Sequence, residues 1–312
     1  MNTRVLLIAI ICGLITALLF LAPIALGVAG SSLSTFSALP LFISVLGFGT
    51  AAGIISGGVS IIVLTAFFGI VGAVQSSLVV LAPALWIGHL AGLKRDDRGY
   101  EEWYPLNAIL MHMALISGLA TLLYGFFTNY STETATKVTT ELMTQWAAIN
   151  ASGSVNTAAI EVQAKAVAEL LPFIMPFSIL ILLAVNLYLG VRFATARGWM
   201  LRPRDDIPAS ANLPIYAGAI FTIALFISFT GGTLGLIAKV VAGAVGGAFA
   251  LVGLAVIHYL TRNLSLRSFV LVPLYFVMLV GPPFIGSLLA ALGIAEGVFQ
   301  LRARWASPPP SN

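Results

Sequence analysis

Residues 5–29 read VLLIAIICGLITALLFLAPIALGVA, and no formally charged side chain follows until Lys94. The charge-free interval between Arg4 and Lys94 is 89 residues long. A charge at the centre of a bilayer costs about 2.5–3.5 kcal/mol on insertion scales. One helical crossing takes about 20 apolar residues. The interval therefore holds several crossings, and the chain is read as an all-α, polytopic transmembrane bundle of about 8–10 segments.

Composition agrees. Charged residues make up 8% of the chain and hydrophobic residues 59%, against about 25% charged in soluble domains. The 30 glycines suit close approach of membrane helices. Cys12 is the only cysteine, so an intrachain disulfide and a cysteine metal cluster are both excluded. It reads as a small packing residue within the first span. Arg4 followed by an apolar run and Val28-Ala29-Gly30 has the outline of a cleavable signal. The run is long for a signal core and more apolar sequence follows, so we read it as an uncleaved first helix.

Basic residues set the expected topology. Twelve of the 15 fall in five groups: Arg4; Lys94, Arg95 and Arg98; Arg192, Arg197, Arg202 and Arg204; Arg262 and Arg267; Arg302 and Arg304. Every arginine is thereby on one side, which the positive-inside rule makes cytoplasmic, together with both termini. The remaining Lys137, Lys165 and Lys239 fall in or beside the opposite side. The pI of about 9.4 needs only anionic headgroups as partners, so the lipid bilayer is an expected partner and nucleic acid is not. Parity then requires an even number of spans before Lys94. Four fit, near 5–28, 35–50, 51–70 and 72–92, followed by 103–127, 170–191, 213–229 and 242–260. The stretch 268–301 contains Gly281-Pro282-Pro283, which no straight helix tolerates. It predicts two short crossings or a re-entrant hairpin, for ten segments in all.

Residues 1–304 are expected to form one membrane domain and 305–312 a disordered, Pro-rich tail. The polar insertion 128–169 predicts two short amphipathic helices over the bundle, with Lys137/Glu141, Glu161/Lys165 and Lys165/Glu169 at i,i+4 spacing. Asn129 and Asn150 each begin a glycosylation sequon, a motif common by chance.

Candidate functional residues are sparse. Polar groups at membrane depth are the default suspects: Gln75, Asn107, His112, Asn186, Lys239 and Glu296. Asn107, His112 and Asn186 are the candidate ligand-binding set, each with interhelical hydrogen bonding as the simpler role. Small residues at four-residue spacing, Ala9/Gly13/Ala17 and Gly49/Gly53/Gly57, form candidate helix-packing or partner-docking faces; Gly243/Gly247 repeats the spacing. No nucleophile elbow, His-Glu-x-x-His motif or P-loop occurs. Glu101-Glu102 lies in a wet loop without a partner histidine. No enzyme activity, cofactor or metal site is expected.

Two stretches carry a family resemblance. The terminal run Leu292-Gly293-Ile294-Ala295-Glu296-Gly297-Val298-Phe299-Gln300-Leu301-Arg302-Ala303-Arg304 resembles the end of the bacterial DUF2232 (YybS-like) multi-pass membrane proteins. The Gly-rich run 39–63 looks like the early helices of the S components of energy-coupling-factor transporters. The DUF2232 resemblance carries over no site residues. The S-component likeness implies outward solute binding and docking on a membrane coupling subunit through small residues of the first helix, where Ala9, Gly13 and Ala17 stand. At 312 residues, with the 128–169 insertion, the chain departs from the shorter, roughly six-helix S components. Two functional expectations follow for a protein of the bacterial inner membrane. One is a small-solute-binding or transport component acting with partner subunits. The other is a non-transporting scaffold for envelope assembly or cell-shape machinery.

Overall fold

The structure is a computed structural model and describes residues 1–97, 99–150, 156–200, 202–280 and 282–305. It is helical almost throughout. The helices are α1 (Thr3–Ser34), α2 (Ala38–Phe48), α3 (Thr50–Ser76), α4 (Ala82–Ala91), α5 (Leu106–Phe127), α6 (Thr132–Asn150) and α7 (Thr157–Ala196). After them come α8 (Ile207–Ser210), α9 (Tyr216–Ile227), α10 (Gly232–Leu260), α11 (Arg267–Val280), α12 (Pro282–Phe299) and α13 (Leu301–Trp305). A π-helical turn, Ser77–Leu81, joins α3 to α4. Five helical runs among the described residues are long and apolar enough to cross a membrane: Thr3–Ser34, Thr50–Ala91, Leu106–Phe127, Thr157–Ala196 and Gly232–Leu260.

Two of these long helices are folded back on themselves. Gly69 adopts φ 70° inside α3, a conformation open to glycine at little cost. The Thr50 hydroxyl then meets His89 Nδ1 at 2.7 Å, and Gly53 packs on Leu85. Both pairs are centred on residue 69, so 50–91 is a hairpin of two passes. Gly27, with φ 57°, does the same in α1, bringing Gly30 against the Ala22 carbonyl. Gly49, with φ 87°, separates α2 from α3. The turns at Gly27, Gly49 and Gly69 divide the region before Lys94 into four helical runs.

Residues 268–301 resolve into α11 and α12, with Pro282 opening the second helix, where a missing N–H costs nothing. Gly281 itself lies outside the described residues. α5, α7, α9 and α10 complete the bundle; among the described residues α9 and α11 are apolar helices too short to meet the length of a full crossing.

The Gly/Ala-rich α10 is the central helix, packed on α5, α7, α9 and α12. A Cβ at Gly243 would strike the Phe173 carbonyl, and one at Gly253 the Leu289 carbonyl. Gly247 and Gly286 both rest on Phe177, so α7, α10 and α12 run in the same direction. Phe42, Leu41, Leu64, Ile87, Met113, Leu180 and Leu183 fill the bundle with almost no exposure.

Two expectations are corrected. The 94–103 segment is a β-hairpin rather than a loop: β1 (Lys94–Asp97) pairs antiparallel with β2 (Tyr100–Trp103). Lys94 pairs with Glu101 and Arg95 with Glu102, so the two acids face cross-strand cations. The second helix of the 128–169 insertion does not stand alone. It is the start of α7, whose 40 residues extend about 60 Å, twice the thickness of a hydrocarbon core. The i,i+4 ion pair of α6 is Glu133–Lys137. Residues 306–312 of the expected tail lie outside the described residues, and Trp305 ends α13.

Candidate functional site

Asn107, His112 and Asn186 do not converge. Asn107 is exposed in the first turn of α5, and its side chain accepts the Ala108 N–H. His112 lies between the rings of Tyr104 and Trp86, with centroids 5.9 and 6.2 Å away. Its Nδ1 meets the Ala108 carbonyl at 2.9 Å. A carbonyl only accepts, so Nδ1 carries the proton.

Asn186 has a different neighbourhood. It is 1% exposed and donates to the carbonyls of Leu182 and Thr35, both at 2.8 Å. Thr35 begins the break between α1 and α2. Asn186 is ten residues, about 15 Å, short of the Ala196 end of α7. The break thus falls inside the apolar layer, where a free carbonyl has no water to bond. Asn186 closes it, while its own Oδ1 finds no hydrogen-bond partner.

The small-residue faces are internal. Ala9 and Ala17 are fully buried. Ser56 donates to the Ala9 carbonyl and Ser60 to the Gly13 carbonyl, each at 2.8 Å. A Cβ on Gly13 would strike the Ser56 carbonyl. The first-helix ladder is therefore the parallel α1–α3 contact within this chain. In the second ladder only Gly53 makes such a close approach, against Val45 and Leu85. Gly49 is a turn, and a Cβ at Gly57 would meet nothing within 4 Å.

Sequence reasoning missed an arginine clasp at the end that carries the arginines. Arg202, 8% exposed, pairs with Asp205 and donates to the carbonyls of Tyr104 and Ala91. Asp206 binds Arg262 at the end of α10, and the Arg262 guanidinium holds its carboxyl below the usual carboxylate range. Arg302 pairs with Glu296 and donates to the carbonyls of Pro208, Ala209 and Ala211. Residues 202–211 thereby tie the α4–α5 connection to the ends of α10 and α12. A visible signal was the acid and the arginine six positions apart in the terminal run.

At the opposite end, α6 and the first part of α7 form a hairpin, fastened at its base where the Tyr130 hydroxyl donates to the Ala168 carbonyl at 2.9 Å. Burial there pushes the Tyr130 phenol up. Leu142, Met143, Trp146, Ala147, Ile160 and Gln163 line a cleft of about 470 Å³ between the two helices. Leu142, Trp146 and Ile149 are 60, 71 and 83% exposed. A second cleft, of about 350 Å³, lies around the β-hairpin at the arginine-bearing end. Among the described residues, no group of three or more His, Cys, Asp or Glu side chains could hold a metal ion.

No curated protein and no solved structure matches the chain. The family model for DUF2232, described as a predicted membrane protein, matches residues 14–296. With five helices among the described residues long and apolar enough to cross a membrane and a match over most of its length, the chain is a multi-pass integral membrane protein and belongs to the DUF2232 family.

Proposed function

We propose that this protein is a non-transporting scaffold of the bacterial plasma membrane, with its α6–α7 hairpin outside the cell receiving a partner protein. The observation that carries this reading is the apolar cleft and the exposed Leu142, Trp146 and Ile149 on that hairpin. Exposed apolar surface on a water-facing element marks a contact site. The arginines at the other end supply its orientation. The filled bundle fits a rigid support: the first-helix ladder, Gly53 and Asn186 are committed to contacts within the chain.

One observation favours the alternative, a solute-binding or transport component. The α1–α2 break lies at membrane depth, and broken helices at that depth accompany transporter sites. Photo-crosslinkers at Trp146 and Ile149 separate the two readings when combined with mass spectrometry of small molecules co-purifying with the intact protein. The scaffold predicts one discrete crosslinked protein, lost in Leu142→Asp, and no stoichiometric solute. A stoichiometric solute lost in Asn186→Ala or His112→Ala would replace the scaffold with the transport reading.

A further inference from the structure

At the arginine-bearing end, Arg267 opens α11, and its Nη2 lies 3.0 Å from Nδ1 of His258 on α10. A guanidinium only donates, so Nδ1 is the acceptor and the imidazole is neutral with its proton on Nε2. That Nε2 is 2.8 Å from the Tyr275 hydroxyl, to which it donates. The phenolic hydrogen of Tyr275 is then free to donate in turn. Tyr188 of α7 lies within electrostatic reach of Tyr275.

The cluster has a surplus of donors and no acid. Among the described residues no carboxylate pairs with Arg267, and its buried Nε has no hydrogen-bond partner. The other arginines with little exposure, Arg202 and Arg302, each hold a carboxylate. A partly buried guanidinium beside only neutral rings lacks an anion. Beyond it, α11 turns Phe269, Val272 and Phe276 outward at 77, 66 and 65% exposure. Their i, i+3, i+7 spacing places them on one face. A cation with an adjoining phenol at the arginine-bearing end suits the phosphate of a phospholipid, while the apolar stripe lies about half a turn round α11 from Arg267.

We propose that Arg267, His258 and Tyr275 form a binding site for the phosphate of an anionic phospholipid in the arginine-side leaflet. Guanidinium and phosphate pair bidentately, and basic recesses between membrane helices on this side suit such headgroups.

The test is native mass spectrometry of the delipidated full chain in mild detergent, titrated with phosphatidylglycerol or phosphatidylcholine. Thermal unfolding is followed in parallel. The expected result is a first phosphatidylglycerol adduct that raises the midpoint and binds about tenfold more weakly in Arg267→Gln. Arg304→Gln, an exposed arginine at the same end, should bind as the unaltered chain does. If Arg267→Gln does not fold, Tyr275→Phe removes one donor while leaving the charge, and should weaken the adduct several-fold. Equal binding by the unaltered chain and whichever variant folds would overturn the proposal. So would equal stabilisation by phosphatidylcholine, or by inorganic phosphate alone, the latter assigning the cluster to a free anion.

Discussion

The Arg302 guanidinium and the Glu296 carboxylate pair at 2.8 Å, with side chains 9 and 7% exposed. The second Glu296 oxygen accepts the Arg302 backbone N–H at 3.1 Å. Gln300, with φ 51°, turns the chain between α12 and α13 so that the residue six positions on folds back over its acid. The remaining guanidinium nitrogens take the last carbonyls of α8 and the Ala211 carbonyl, groups that a helix end leaves without intrahelical partners.

Breaking this pair from one side leaves a buried charge. Arg302→Met or Glu296→Leu should each cost about 3–5 kcal/mol, and the double variant less than their sum. Thermal unfolding of all three in one detergent measures this. Additive losses would mean that the two side chains do not act as a unit.

The clasp also has a pH signature at Asp206. Its carboxyl is held low first by the Arg262 hydrogen bond. A depressed folded pKa contributes stability that is fully present above the unfolded value, about 3.9, and lost as pH falls through the folded value. The difference in unfolding midpoint between the unaltered chain and Asp206→Asn should be constant above about pH 5 and shrink below about pH 4. A difference that persists unchanged at low pH would assign it to the α8 cap rather than to the ion pair.

Glycines identical in type differ in role. Gly13→Ala must push apart the α1–α3 contact and should cost about 1–3 kcal/mol. Gly57→Ala meets nothing within 4 Å and should be neutral or slightly stabilising, because alanine is the better helix former. Equal effects would refute the close approach of Gly13 to Ser56.

Asn186→Leu removes the bond that closes the Thr35 carbonyl. Interhelical hydrogen bonds in membranes are worth about 0.6–2 kcal/mol, so the unfolding free energy should fall by about that much. Hydrogen exchange should rise at residues 35–37 and not along α10. Uniform loss of protection would show that Asn186 stabilises the whole bundle rather than the break.

The hairpin at Gly69 can be checked by a disulfide. Thr50→Cys with His89→Cys should oxidise readily, whereas Thr50→Cys with Gly69→Cys should not, since those positions sit at opposite ends of one pass. Failure of the first pair would refute the reversal at Gly69 and make 50–91 a single pass.

The sequence by itself determined the solvent and the class of this protein. An 89-residue interval without charge admits no aqueous core, and arginines gathered between apolar runs admit one consistent parity. Those are one-dimensional properties, because hydropathy and helix length depend on residues near in sequence. Which polar groups meet was decided only by the tertiary structure. Asn186 closes a carbonyl 151 residues away, and Arg302 caps a four-residue helix more than 90 positions earlier. Asn107, His112 and Asn186 look alike in sequence as polar residues in apolar surroundings. Only packing separates an exposed first-turn side chain, a ring tilted against two aromatics and a buried closure of a broken helix.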